Sequence, residues 1–134
     1  MKKIFALLLA ILLIGIIAVV IAPKKNEETS EFNIILYPLE GSTRRLYVAD
    51  TPAKWTKGLM NYRRLNGIDG MIFMFPLRMQ QSFWNENTYL NLTIYWIDGG
   101  KVIGTSDLPS IEKTKKALIV NSPGPVDKVV EIVK

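Results

Sequence analysis

Hydrophobic residues fall into two patterns along this chain. Residues 4–22 read IFALLLAILLIGIIAVVIA, apolar throughout and free of charge. A helix of that length, rising about 1.5 Å per residue, would reach roughly 28 Å, near the hydrocarbon thickness of a bilayer. Nothing in the remaining sequence could wrap such a cylinder on all sides, so a membrane segment is expected rather than a buried soluble helix. Residues 23–31, PKKNEETSE, carry no apolar residue besides proline and read as a polar linker. From residue 32 onward the apolar runs shorten to strand length. The expected organisation is therefore a transmembrane helix over 1–22, a linker over 23–31 and a β-rich domain over 32–134.

Within that domain, residues 32–37 (FNIILY) and 44–49 (RRLYVA) are rich in β-branched and aromatic residues and predict an opening hairpin around Pro38 and Gly41-Ser42. Asp50-Thr51-Pro52 then supplies a helix start, an oxygen-bearing cap before proline, and predicts about two turns through Trp55 to Gly58. Residues 70–75 (GMIFMF) form a continuous apolar run, expected as a strand covered on both faces and ended by Pro76. Strands are also expected over 79–84 and 90–97, with Asp98-Gly99-Gly100 turning the latter into 101–103. Two more, over 117–121 and 128–133, flank Pro123-Gly124-Pro125. The fold class predicted is α+β and β-rich: an antiparallel, rolled or barrel-like sheet with one short helix.

Composition removes several kinds of chemistry. The 134 residues contain no cysteine and no histidine. There is thus no disulfide framework, no thiolate nucleophile, no serine–histidine triad and no imidazole ligand. The 49% hydrophobic content averages the apolar stretch with a domain of ordinary composition. A formal charge of +5 is mild, and its basic pairs Arg44-Arg45 and Arg63-Arg64 and the cluster Lys113, Lys115, Lys116 read as solvated faces rather than a nucleic-acid footprint. Lys2 and Lys3 before the apolar stretch place the N-terminus in the cytoplasm and the domain outside. The alternative is secretion after signal cleavage. The long apolar core and Pro23 directly after the small residues favour an uncleaved signal-anchor.

One ordered set of residues carries a resemblance. Lys57-Gly58-Leu59-Met60, Gly70-Met71-Ile72-Phe73 with Phe75, Phe83-Trp84, Asn87-Thr88, Leu92 and Ile97-Asp98 follow one another as in the domain-of-unknown-function 192 family. The chain resembles that family over roughly residues 46–133. The resemblance implies a β-rich fold with a short helix and no established activity. Two positions depart from the family pattern: Glu86 stands where a lysine is usual, and Thr93 where an aspartate is. Relatives also continue through a glycine–aspartate segment where this sequence stops at Lys134, so the last strand is expected either as an edge or differently paired.

The remaining chemistry clusters around residue 84. Trp84, Asn87, Thr88 and Tyr89 set an aromatic platform beside amide and hydroxyl groups, a combination suited to a small polar ligand or to a partner protein of the envelope. The plainer alternative has Asn87 and Thr88 satisfying a turn while Trp84 fills the core. Among the carboxylates, Asp50 and Asp98 read as cap and turn residues, no pair shows a telling spacing, and Asp69 and Glu86 remain open, Glu86 beside Asn87 being the better candidate. Glu86 is the candidate general base if the protein is an enzyme. Met60, Met71, Met74 and Met79 raise a thioether copper(I) site, although core filling explains methionines more simply. No cofactor is expected. The function that emerges is a membrane-anchored, extracytoplasmic module for ligand or partner binding.

Overall fold

The computed structural model describes residues 31–134. The expected transmembrane segment and nearly all of the linker lie outside them. Among the described residues no helix is long and apolar enough to cross a membrane.

Among the described residues, eight strands and two short helices follow in the order β1 (Ile34–Leu39), β2 (Ser42–Ala49), α1 (Pro52–Lys57), β3 (Gly70–Met79), β4 (Ser82–Trp84), β5 (Leu92–Asp98), β6 (Lys101–Leu108), α2 (Ile111–Thr114), β7 (Ile119–Asn121) and β8 (Val126–Val133). Six strands make one sheet in the order β1-β2-β3-β8-β5-β6, and β4 pairs with β7 in a separate ribbon.

Local chemistry explains the connections. Glu40 and Gly41 join β1 to β2 with φ of 47° and 78°, and Gly99 and Gly100 join β5 to β6 with φ of 55° and 82°. Positive φ at both central positions gives the mirror-image turn whose twist matches paired strands. Pro38 sits on β1, an edge strand, where a missing N–H is tolerated. Thr51 caps α1 by accepting the Lys54 N–H at 3.4 Å, Pro52 opens the helix, and the Gly58 N–H closes it onto the Lys54 carbonyl at 2.9 Å.

The sheet differs from the expected antiparallel roll or barrel. It is open, with β1 and β6 as edges, and it is mixed, because β2 and β3 run parallel from Leu46↔Gly70 to Ala49↔Phe73. The helix between them is the cause: it carries the chain back to start β3 beside β2, as a crossover connection must. A second short helix, α2, follows Ser110, whose hydroxyl accepts the Lys113 N–H at 3.3 Å. β6 runs on to Leu108 rather than ending at 103. The last strand is no edge. β8 lies at the centre, antiparallel to β3 on one side and to β5 on the other.

Two cores result. Along β8 the side chains alternate: Val129 joins the larger core with Phe32, Ala49, Leu59, Met71, Phe73, Ile94, Trp96 and Leu108, while Val130 joins the smaller one with Leu39, Leu46, Val48, Ile72 and Ile97. The larger core is covered by Trp55 of α1 and by Phe83 and Val120 of the β4–β7 ribbon. Gly70 fits only as glycine, since a Cβ there would run into the Glu131 carbonyl oxygen of the neighbouring strand.

Candidate functional site

β3 does not stop at Pro76 but continues to Met79. Its pairing with β8 jumps from Met74↔Lys128 to Met79↔Val126, so Phe75 to Arg78 stand opposite Asp127 alone. Pro76 falls inside this excursion, where no ladder bond asks for its missing N–H. The excursion is pinned at both ends. Trp55 reaches over from α1, and its indole N–H is shared between the carbonyls of Ala49 at 3.0 Å and Met74 at 3.1 Å. At the far end the Ser122 hydroxyl accepts the Gln81 N–H at 3.0 Å, and the Gln80 amide donates to the Ser122 carbonyl at 2.6 Å.

Arg78 holds the outer limb. Its guanidinium meets the Asp98 carboxylate of the β5–β6 turn through two parallel hydrogen bonds. Those bonds hold the Asp98 carboxyl below its usual range. Asp127, under the excursion, is likewise lowered, first by its hydrogen bond from Lys128; its carboxylate also accepts the Gly99 N–H at 3.2 Å.

The excursion opens a cavity of ≈ 290 Å³ lined by Trp55, Phe75, Pro76, Leu77, Met79 and Gln81. Trp55 and Phe75 form its aromatic wall, with ring centroids 5.2 Å apart. Leu77 is 71% exposed and Met79 54% exposed, so the rim is apolar and open to water. This is a concave surface that can take an apolar group, with Gln81 as its one polar side chain. The sequence did hold a sign of it. Leu77 and Met79 follow a proline in an otherwise core-forming run, and exposed apolar residues there have no packing role.

The segment singled out from sequence forms a turn between β4 and β5. Phe83, not Trp84, enters the core, with its ring edge-on to Phe73 at 4.8 Å and to Trp96 at 5.8 Å. Trp84 points the other way and is 51% exposed. Asn87 and Glu86 are exposed, and Asn87 adopts φ of 52° at the turn. Thr88 is buried, its hydroxyl donating to the Glu86 carbonyl at 3.2 Å. Tyr89 is half-buried under the Arg63 guanidinium, 4.1 Å from the ring centroid, and Arg63 pairs with Glu112. None of these residues lines the Trp55 cavity.

The residue that organises the turn is Asn85, which is fully buried. Its amide donates to the Pro109 carbonyl and to the Thr114 hydroxyl, both at 2.8 Å, and its side-chain oxygen accepts the Leu118 N–H at 2.7 Å. One side chain thereby ties the β4–β5 turn to α2 and β7.

Met71 packs in the larger core and Met74 against the smaller one on the opposite face, while Met79 stands at the cavity rim. That dispersal overturns the thioether copper(I) site, which needs converging sulfurs. The described residues contain no group of three or more acidic side chains arranged to hold a metal ion.

One carboxylate was missed from the sequence. Glu131 lies on the larger-core face of β8 between Met71 and Ile94, its cross-strand neighbours, and is 4% exposed. Burial pushes its carboxyl up to about 8. The sign was a single acid inside VVEIV, a run otherwise suited to a central strand. At 4% exposure it offers little surface to an outside substrate, which makes it a poor general base.

Comparison with known proteins places the domain. A crystal structure from Sinorhizobium meliloti, of a protein proposed to be a transcription regulator, is similar at 30% identity over 75% of this chain and 78% of that one, with a TM-score of 0.58. A second, of a protein of unknown function from Novosphingobium aromaticivorans, matches at 24% identity over 75% of this chain and 81% of that one, with a TM-score of 0.56. No curated protein matches the chain. The model of the DUF192 family, described as an uncharacterized ACR, matches residues 37–134, and the chain belongs to that family.

Proposed function

We propose that the protein is a membrane-tethered, extracytoplasmic binding module that receives one large apolar side chain of a partner polypeptide in the Trp55–Met79 cavity. The observation that carries this reading is the open apolar rim, Leu77 and Met79, held out by a strand excursion pinned at both ends. Its ≈ 290 Å³ is at the lower limit of small-molecule sites, and so suits a phenylalanine or leucine side chain better than a cofactor. The tether rests on the apolar stretch 4–22 and its flanking lysines.

Titration of the full chain in phosphatidylcholine nanodiscs with capped phenylalanine amide tests the reading, with the Trp55 indole and Met79 methyl resonances as reporters. Saturable shifts at both residues are expected, abolished by Leu77→Asp and absent with capped serine amide. Equal shifts from the serine compound, or shifts unchanged by Leu77→Asp, would overturn it.

A further inference from the structure

The β4–β7 ribbon has an inner face spent on the core and an outer face that stays exposed among the described residues. Phe83 and Val120, paired across the ribbon, point inward. Trp84 and Ile119, the next pair, point outward and are 51% and 59% exposed. Leu118, beside Ile119 in the chain, is exposed as well. A cross-strand tryptophan–isoleucine pair left in water is costly unless something covers it.

The residues leading into β7 supply the complementary half. Lys113, Lys115 and Lys116 are all exposed, and none forms an ion pair with a described residue. Glu112, the acid beside them, is paired with Arg63 instead. Glu86, exposed in the turn after Trp84, is the one acid between Trp84 and Leu92, against three lysines in the run that leads into β7. Lys115 closes α2 with φ of 65°, which fixes the sharp turn between the helix and the run into β7. Asn85 fixes that run against β4 through its bonds to Leu118 and Thr114. Three exposed lysines thus directly precede Leu118 and Ile119 in the chain, on a run that Asn85 holds against β4.

We infer that this surface, Trp84, Leu118 and Ile119 with Lys113, Lys115 and Lys116, docks on an anionic phospholipid surface. Tryptophan favours the headgroup level of a bilayer, aliphatic side chains reach the acyl boundary, and lysines are drawn to anionic headgroups. The docking rests on the tether of the proposed function, which keeps the domain within reach of the membrane. It would set which face of the β4–β7 ribbon meets the lipid.

The test uses the full chain reconstituted in vesicles of brominated phosphatidylcholine with about a quarter phosphatidylglycerol, the bromines quenching nearby tryptophan. Such a fraction is enough to give the surface a negative potential. Wild-type protein is expected to be quenched through Trp84, and Trp84→Phe to lose that component. Replacing Lys113, Lys115 and Lys116 together by glutamine, or raising salt to 1 M, where screening acts within about 3 Å, should cut the quenching at least threefold. Trp84 quenching that is absent, or equal in vesicles of phosphatidylcholine alone, overturns the inference. So does a Trp84 shielded in whole membranes yet unquenched by lipid, which would identify a protein partner. Failure of the tether is read separately: the chain would then leave the vesicles on an alkaline carbonate wash.

Discussion

Asn85 and Leu118 bond to each other twice, once through the backbone and once through the side chain. The Asn85 N–H donates to the Leu118 carbonyl at 3.2 Å, and the Leu118 N–H returns to the Asn85 side-chain oxygen at 2.7 Å. The ladder of the β4–β7 ribbon is in this way extended by a side chain where backbone pairing would end. Asn85→Ala would leave the Pro109 carbonyl, the Thr114 hydroxyl and the Leu118 N–H without their partner. A loss of about 2–4 kcal/mol is expected in urea unfolding. Asn85→Asp should recover little, because it keeps the acceptor and loses both donors. A cost within experimental error for either variant would remove Asn85 as the tie.

Glu131 sets a pH dependence of opposite sign to the usual carboxylate. Burial raises its carboxyl from 4.5 to about 8, so the folded protein holds a proton that the unfolded chain has released. Its contribution is complete below pH 4.5 and is lost as pH rises from there through about 8. Thermal unfolding of wild type against Glu131→Gln should show the difference growing over that interval in favour of the glutamine protein. Parallel curves would contradict a buried, unpaired carboxyl.

The Arg78–Asp98 pair is exposed, and its worth lies in position rather than stability. Asp98→Asn should leave the urea midpoint close to that of the wild type. Amide hydrogen exchange of Phe75, Leu77 and Arg78 should nevertheless accelerate several-fold, since the outer limb of the excursion loses its clamp. Unchanged exchange would mean that Trp55 and Ser122 suffice.

Alkaline phosphatase fused after Lys134 reports the expected topology. Activity in intact cells is predicted, because the apolar stretch with its preceding lysines should leave the domain outside. An inactive fusion whose reciprocal cytoplasmic reporter is active would reverse the orientation.

Much of the local structure was legible in the residues. Thr51-Pro52 marks the start of α1, Asp98-Gly99-Gly100 marks a tight hairpin, and Gly58 marks the end of the helix, because each acts through its own neighbours. What could not be read depends on partners far along the chain. Nothing near Gly70 says that β3 will lie parallel to β2, or that a carbonyl of residue 131 will press against it. Pro76 reads locally as a strand end, and it is the single residue Asp127 opposite four on β3 that turns it into an excursion. Trp84 and Phe83 look interchangeable as core residues until pairing with Ile119 and Val120 assigns one to each face. The candidate cavity left only Leu77 and Met79 after Pro76 as a local sign, for the same reason. Its walls come from α1 and β3, and only the fold brings Trp55 to Phe75.

The central place of β8 has a kinetic meaning. β1, β2 and β3 form one block and β5 and β6 another, and the sheet joins them only through Val126–Val133. Without β8, both blocks would keep an unmatched strand border and an uncovered apolar face. The closing step spans most of the domain's contour and so should be slow, and aggregation would compete with it. A nascent domain that stays open for that long is also one a chaperone can still grip.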